Sequence, residues 1–134
     1  MEEPKPRITS AVIVEHEGKV LLGRRNKTNC EGMWVIPGGG VDWGETIQDA
    51  AIREIKEETG MDVEIVKQLG HQEVINTPGN YHAIVFFHLA KSNDPTIKAS
   101  DDLSEAKFFT LNEIKELNTV KSVKDALVDA GLWK

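Results

Sequence analysis

Three glutamates at positions 54, 57 and 58, inside the run Arg53-Glu54-Ile55-Lys56-Glu57-Glu58, are the residues of this chain best spaced to do chemistry. At about 100° per residue, a helix through them sets Glu57 about 60° to one side of Glu54 and Glu58 about 40° to the other, a single acidic arc. Ala51, Ile52 and Ile55 fall on the adjoining apolar arc, and Asp49 and Lys56 on the far side, so the carboxylates stand at the edge of a core. Side chains so spaced lie about 5 to 6 Å apart, and each like-charge pair costs about 0.7 kcal/mol in water and about 3 kcal/mol near a protein surface. A divalent cation reverses that penalty. Donors that are all oxygen suit a hard metal, Mg²⁺ first and Mn²⁺ second. An acidic run alone is more often a solvated helix face; here it follows closely on Gly38-Gly39-Gly40 and Glu45.

The elements that must position these residues can be read around them. Pro37 and the three glycines form a turn after a brief apolar strand at 33–36, and the acidic helix starts at once, with Thr46 and Asp49 as a capping pair and Gly60 as the terminating residue. Upstream, residues 1–7 carry two prolines and mixed charge and read as a loose tail. Residues 8–14 and 20–22 are rich in β-branched side chains and form a hairpin around His16-Glu17-Gly18, ending in Arg24-Arg25 and a polar loop at 26–32. Downstream, 63–75 is a strand kinked at Gly70, 76–80 a turn containing Pro78-Gly79, and 81–89 a strand with Tyr81, Ala83, Val85 and Phe87 on one face and His82, Ile84, Phe86 and His88 on the other. A loop at 91–102, a short strand at 106–109, a capping box at Thr110-Leu111-Asn112-Glu113 and a last helix presenting Val120, Val123, Leu127 and Val128 complete the chain, with Gly131 as its stop.

The spacing Gly39-x5-Glu45-x7-Arg53-Glu54-Ile55-Lys56-Glu57-Glu58-Thr59-Gly60-Met61 resembles, at every fixed position, the signature of the Nudix hydrolases, the family that includes the MutT-type enzymes. That resemblance implies an α/β fold, an α/β/α sandwich with a mixed central sheet, and hydrolysis of a nucleoside diphosphate linked to a further group. It implies Glu57 and Glu58 as principal Mg²⁺ ligands with the main-chain carbonyl of Gly39, and Glu54 as a further ligand or as the base for the attacking water. Arg53 and Glu45 resemble the pair that holds helix and loop together. Glu105, just ahead of a strand, matches a place where many members carry an acidic residue serving as ligand or base; an exposed loop carboxylate has equal weight. Arg25, with Arg24 as second choice, matches a phosphate-binding arginine of MutT-type enzymes. Trp34, His82 and Phe86 are candidates for stacking on a nucleobase, with sheet packing as the plainer role for each.

Substrate choice is carried by weaker signals. The segment 21–25, the approach from Trp34 to Gly40, and Asn80-Tyr81-His82 ahead of an apolar strand resemble nucleoside triphosphate pyrophosphohydrolases, so the leading expectation is cleavage of a (deoxy)nucleoside triphosphate to monophosphate and pyrophosphate. Pro78 stands close to the distance beyond the signature at which ADP-ribose pyrophosphatases carry a proline, which keeps cleavage to AMP and ribose 5-phosphate in view. A third reading, a nucleotide sensor without catalysis, is disfavoured by the complete set of acidic residues.

Composition bounds the rest. A chain of 134 residues, 40% hydrophobic, is read as one domain over 1–134. A formal charge of −6 argues against polymeric nucleic acid or an anionic membrane as main partner and leaves a small nucleotide possible, because a local metal or arginine cluster reverses the potential at a site. Cys30 is the only cysteine, and the start lacks an apolar leader, so a cytoplasmic protein is expected. A homodimer is an expectation from the family alone.

Overall fold

The computed structural model describes residues 5–25, 32–76, 80–98 and 103–134. Strand β1 (Arg7–His16) turns through Glu17 and Gly18, both at positive φ, into β2 (Lys19–Arg25), with Glu15 opposite Val20 and His16 opposite Lys19. Two short strands follow, β3 (Trp34–Val35) against β2 and β4 (Gly38–Gly40) against β1, and then helix α1 (Ile47–Thr59). Strands β5 (Glu64–Asn76), β6 (Tyr81–Lys91) and β7 (Leu103–Phe109) and helices α2 (Leu111–Glu116) and α3 (Lys121–Asp129) complete the order. The sheet runs β3-β2-β1-β6-β5, with β4 added to β1 and β7 to β2. It is mixed: β1 and β6 are parallel from Arg7 opposite Ala83 to Val14 opposite Ala90, and the other pairings are antiparallel.

Alternation along β1 divides the core between the two faces. Val12 and Val14 pack with Ala51, Ile55 and Met61 beneath α1, and Ala11 and Ile13 pack with Phe87, Ile114, Val123 and Leu127 beneath α2 and α3. The three layers are therefore helix, sheet and helix pair, as the resemblance implied.

Several local expectations needed correction. The tail stops short of Arg7, which opens β1 because eight consecutive residues pair with β6. Residues 38–40 are a strand rather than a turn: Gly38 is needed for close approach, since a Cβ there would stand 2.3 Å from the Ser10 carbonyl oxygen. Strand β7 begins at Leu103, upstream of the expected start, and its pairing with β2 extends to Arg25. On α3 the buried residues are Val123, Ala126 and Leu127, while Val128 is exposed, because the face turns with Ala126 rather than Val128. Gly70 lies where the β5–β6 register shifts, as the expected kink. Parts of the expected loops, 26–31, 77–79 and 99–102, lie outside the described residues.

Candidate active site

Helix α1 is fixed at both ends by side-chain chemistry already visible in its sequence. The Thr46 hydroxyl accepts a hydrogen bond from the Asp49 amide at 3.0 Å, and Gly60 takes the left-handed conformation at φ 74 with its amide bonded to the Lys56 carbonyl. A buried polar contact ties the helix to the sheet: Ser10 Oγ donates to the Ile47 carbonyl at 2.6 Å and faces His88 Nε2 at 2.9 Å. With the Ser10 proton given to Ile47, the ring donates from Nε2. Burial pushes His88 below the ordinary histidine pKa, in keeping with a neutral ring.

The carboxylates of α1 do not stand alike. Glu58 is buried with 5% of its surface exposed, the Glu54 side chain keeps 15%, and the Glu57 side chain keeps 59%. Glu54 lies against β4, where a Cβ added to Gly39 would stand 2.4 Å from its carboxylate. Only a glycine leaves that space. Among the described residues no three acidic or histidine side chains already converge as a complete metal cage. The available donors are Glu54 and Glu58 beside the Gly39 main chain, with Glu57 at the rim. All are oxygen, which suits a hard divalent cation, and the absent side chain at Gly39 leaves its backbone bare beside the Glu54 carboxylate.

Arg53 organises the acidic side of the site. Its Nε and one terminal nitrogen grip Glu45 as a two-pronged pair at 2.8 and 2.9 Å, and the same terminal nitrogen reaches the Gly40 carbonyl at 2.9 Å. The other terminal nitrogen reaches Glu54 at 2.9 Å and Glu57 at 3.3 Å. The Arg53 bond, with a further one from the Asp42 amide, holds the Glu45 carboxyl down to about 2, and the carboxylates in turn raise Arg53 above its ordinary range. The expected pairing of Arg53 with Glu45 is therefore present, and it also fixes the loop from β4 into α1.

A cleft of about 700 Å³ opens over this arrangement and wraps around β4. Gly39, Glu54, Glu58 and Arg25 share its wall, and the Arg25 Nε is enclosed with no hydrogen-bond partner among the described residues. Its apolar arm is formed by Ile36, Tyr81, Val85, Phe87 and Val120. A second cavity of about 640 Å³ lies at the far end of α1, where Lys56, Lys91 and Lys98 are balanced by Asp62, Glu64 and Asp94, and it contains none of the candidate residues.

The remaining candidates are divided by strand alternation. Arg24 falls on the face opposite α1, where it donates to Glu105 at 2.8 Å across the β2–β7 pairing, so neither residue joins the α1 carboxylates. Trp34 is buried edge-on against Phe109, with ring centres 4.8 Å apart. Phe86 packs on His71, and His82 shares its side of β6, facing away from the apolar arm. Trp34, His82 and Phe86, the residues expected to stack on a base, do not line this cleft; Tyr81, Val85 and Phe87, on the other face of β6 from His82 and Phe86, do. Arg7, which lines the cleft, and Ser10 and His88, which tie α1 to the sheet, were not among the expected residues. Ser10 and His88 stand out as polar residues within otherwise apolar strands, whereas Arg7 lies in the segment that reads as a tail.

No described helix is long and apolar enough to cross a membrane. Residues 4–130 match the NUDIX domain. Over 122 residues the chain is 34% identical to an ADP-ribose pyrophosphatase of Methanocaldococcus jannaschii, covering 90% of this chain and 72% of that protein. It is 25% identical over 128 residues to the NAD-capped RNA hydrolase NudC of Pseudomonas aeruginosa, 95% of this chain but only 45% of that one. In fold it superposes on a MutT NUDIX hydrolase from Burkholderia pseudomallei with a TM-score of 0.82 at 24% identity, over 93% of this chain and 98% of that one.

Proposed function

The chain belongs to the Nudix hydrolase family, and from that premise we propose that it is a Mg²⁺-dependent pyrophosphohydrolase whose first substrate is ADP-ribose, cleaved by water to AMP and ribose 5-phosphate. The observation that carries the reading is the cleft in which the Glu54 and Glu58 carboxylates and the Gly39 backbone share a wall with Arg25, whose Nε is buried without a partner among the described residues. Oxygen donors for a divalent ion and a cation for phosphate stand together there, as a diphosphate requires. The similarity to the Methanocaldococcus jannaschii enzyme supports ADP-ribose ahead of the nucleoside triphosphates that the segment 21–25 favoured.

Glu58, Glu54 and the Gly39 carbonyl would hold such an ion, with Glu57 joining from the rim and Mn²⁺ as a substitute. Bound there, it would supply positive charge to offset the diphosphate and to make an attacking water more acidic. Arg53 bonds Oε1 of Glu54, which orients the carboxylate and leaves Oε2 to take the proton of the attacking water. Water adds to one phosphorus as the bridging P–O bond breaks, and Arg25 offsets the charge that grows on the phosphate oxygens.

The test is incubation with Mg²⁺ and ADP-ribose, NADH, canonical and oxidised nucleoside triphosphates, followed by identification of the products. ADP-ribose is expected to show the highest kcat/KM. A triphosphate turned over more efficiently replaces the substrate assignment, and no turnover of any member refutes the catalytic one.

A further inference from the structure

The chain has four arginines, and the fold uses them in two ways. Arg53 is surrounded by Asp42, Glu45, Glu54 and Glu57, and Arg24 is bonded to Glu105. Arg25 and Arg7 line the cleft instead, and no carboxylate among the described residues forms an ion pair with Arg7.

The position of Arg7 is set by two strands. In the β1–β6 register Arg7, Thr9 and Ala11 stand opposite Ala83, Val85 and Phe87, so Arg7 shares the face that floors the apolar arm. A Cβ on Gly40 would lie 3.3 Å from one of its terminal nitrogens, so the guanidinium reaches over β4 at Gly40, the residue after Gly39. Glu54 approaches Gly39 from the other face, the one Gly39 shares with Ser10. A phosphate chain crossing β4 would thus meet carboxylates and their ion on one side and a guanidinium on the other. An arginine there offers a charge-assisted fork to phosphate oxygens that the rest of the apolar arm cannot supply.

We propose that Arg7 is a substrate-binding residue that holds the phosphate attached to the group entering the apolar arm, the nucleoside 5′-phosphate. The proposal rests on the reading of this cleft as a diphosphate site. It assigns the aromatic and aliphatic arm to the nucleoside, so that after cleavage AMP stays with Arg7 and the other phosphorylated fragment leaves from the side of the carboxylates.

Calorimetric titration of the wild-type protein, Arg7→Ala and Arg7→Lys with AMP and, separately, with ribose 5-phosphate tests this. Arg7→Ala is expected to weaken AMP binding by about ten-fold, the loss of one charge-assisted bond, with partial recovery in Arg7→Lys and little change for ribose 5-phosphate. KM for ADP-ribose should rise in parallel, with the effect on KM rather than kcat. The exposed position predicts unchanged melting temperatures, which separates lost binding from lost folding. Unchanged AMP affinity, equal weakening of both ligands, or no AMP binding by the wild-type protein overturns the proposal. AMP binding that weakens in Arg7→Ala, in a protein that hydrolyses no member of the nucleotide panel, leaves Arg7 assigned and refutes the catalytic reading alone.

Discussion

The Glu54 carboxylate occupies the volume that any side chain at position 39 would need, its Cδ 2.4 Å from where a Gly39 Cβ would stand. Glycine at position 39 thus lets the helix present that carboxylate directly against the β4 backbone.

Gly39→Ala and Gly38→Ala, one residue apart, should fail differently. The alanine methyl at 39 meets a side chain that can swing, so the expected result is a fall in kcat/KM of about 100-fold from a displaced carboxylate, with the fold retained. The methyl at 38 meets the Ser10 and Ala11 backbone, which cannot swing. Gly38→Ala should cost about 1 to 3 kcal/mol of stability, measured by urea denaturation.

Glu57 stands at the rim, 59% exposed and 3.3 Å from Arg53. Glu57→Gln is expected to leave the melting temperature near that of the wild-type protein and to lower kcat by more than the roughly 10- to 100-fold that loss of an outer metal partner costs. Near-normal turnover at saturating Mg²⁺ would remove Glu57 from the ligand set.

Glu105 and Glu54 were both candidates for the base, and their placement separates them. Glu105 is paired with Arg24 on the face away from α1, an exposed ion pair worth under about 1 kcal/mol. Glu105→Gln should therefore keep its kcat, whereas Glu54→Gln should lose about 10² to 10⁴ in kcat. Loss of turnover in Glu105→Gln would bring that residue back into the chemistry.

Acid should loosen the start of α1 through Glu45. Its carboxyl is held down to about 2 in the folded chain against an ordinary 4.5, so the folded state binds fewer protons than the unfolded one. That contribution is complete above about 4.5 and is lost as pH falls toward 2. Thermal melts across this interval should fall with pH more steeply for the wild-type protein than for Glu45→Gln, and parallel curves would contradict the Arg53 clamp as the cause.

Much of the candidate site was legible in the sequence. Glu54, Glu57 and Glu58 lie within five residues on one helix, and the capping residues Thr46 and Gly60 fix where that helix starts and ends. Helical geometry is local, so spacing converts directly into shared direction. The Arg53–Glu45 pair was legible only through the family pattern, since it spans a turn.

Tertiary structure decided what lies across strands. Residues adjacent in sequence, Arg24 and Arg25, Phe86 and Phe87, His82 and Tyr81, point to opposite faces, and which face meets the cleft depends on pairing with β1, β4 and β7. The strand period of two gives the alternation but not its sign, which is fixed by distant partners. The sequence alone therefore determined the acidic helix and the candidate donors spaced along it. Pairing in the sheet decided that Gly38–Gly40 is a strand, that Arg25 and Arg7 face the cleft while Arg24 turns to Glu105, and that the apolar arm is built from Tyr81, Val85 and Phe87.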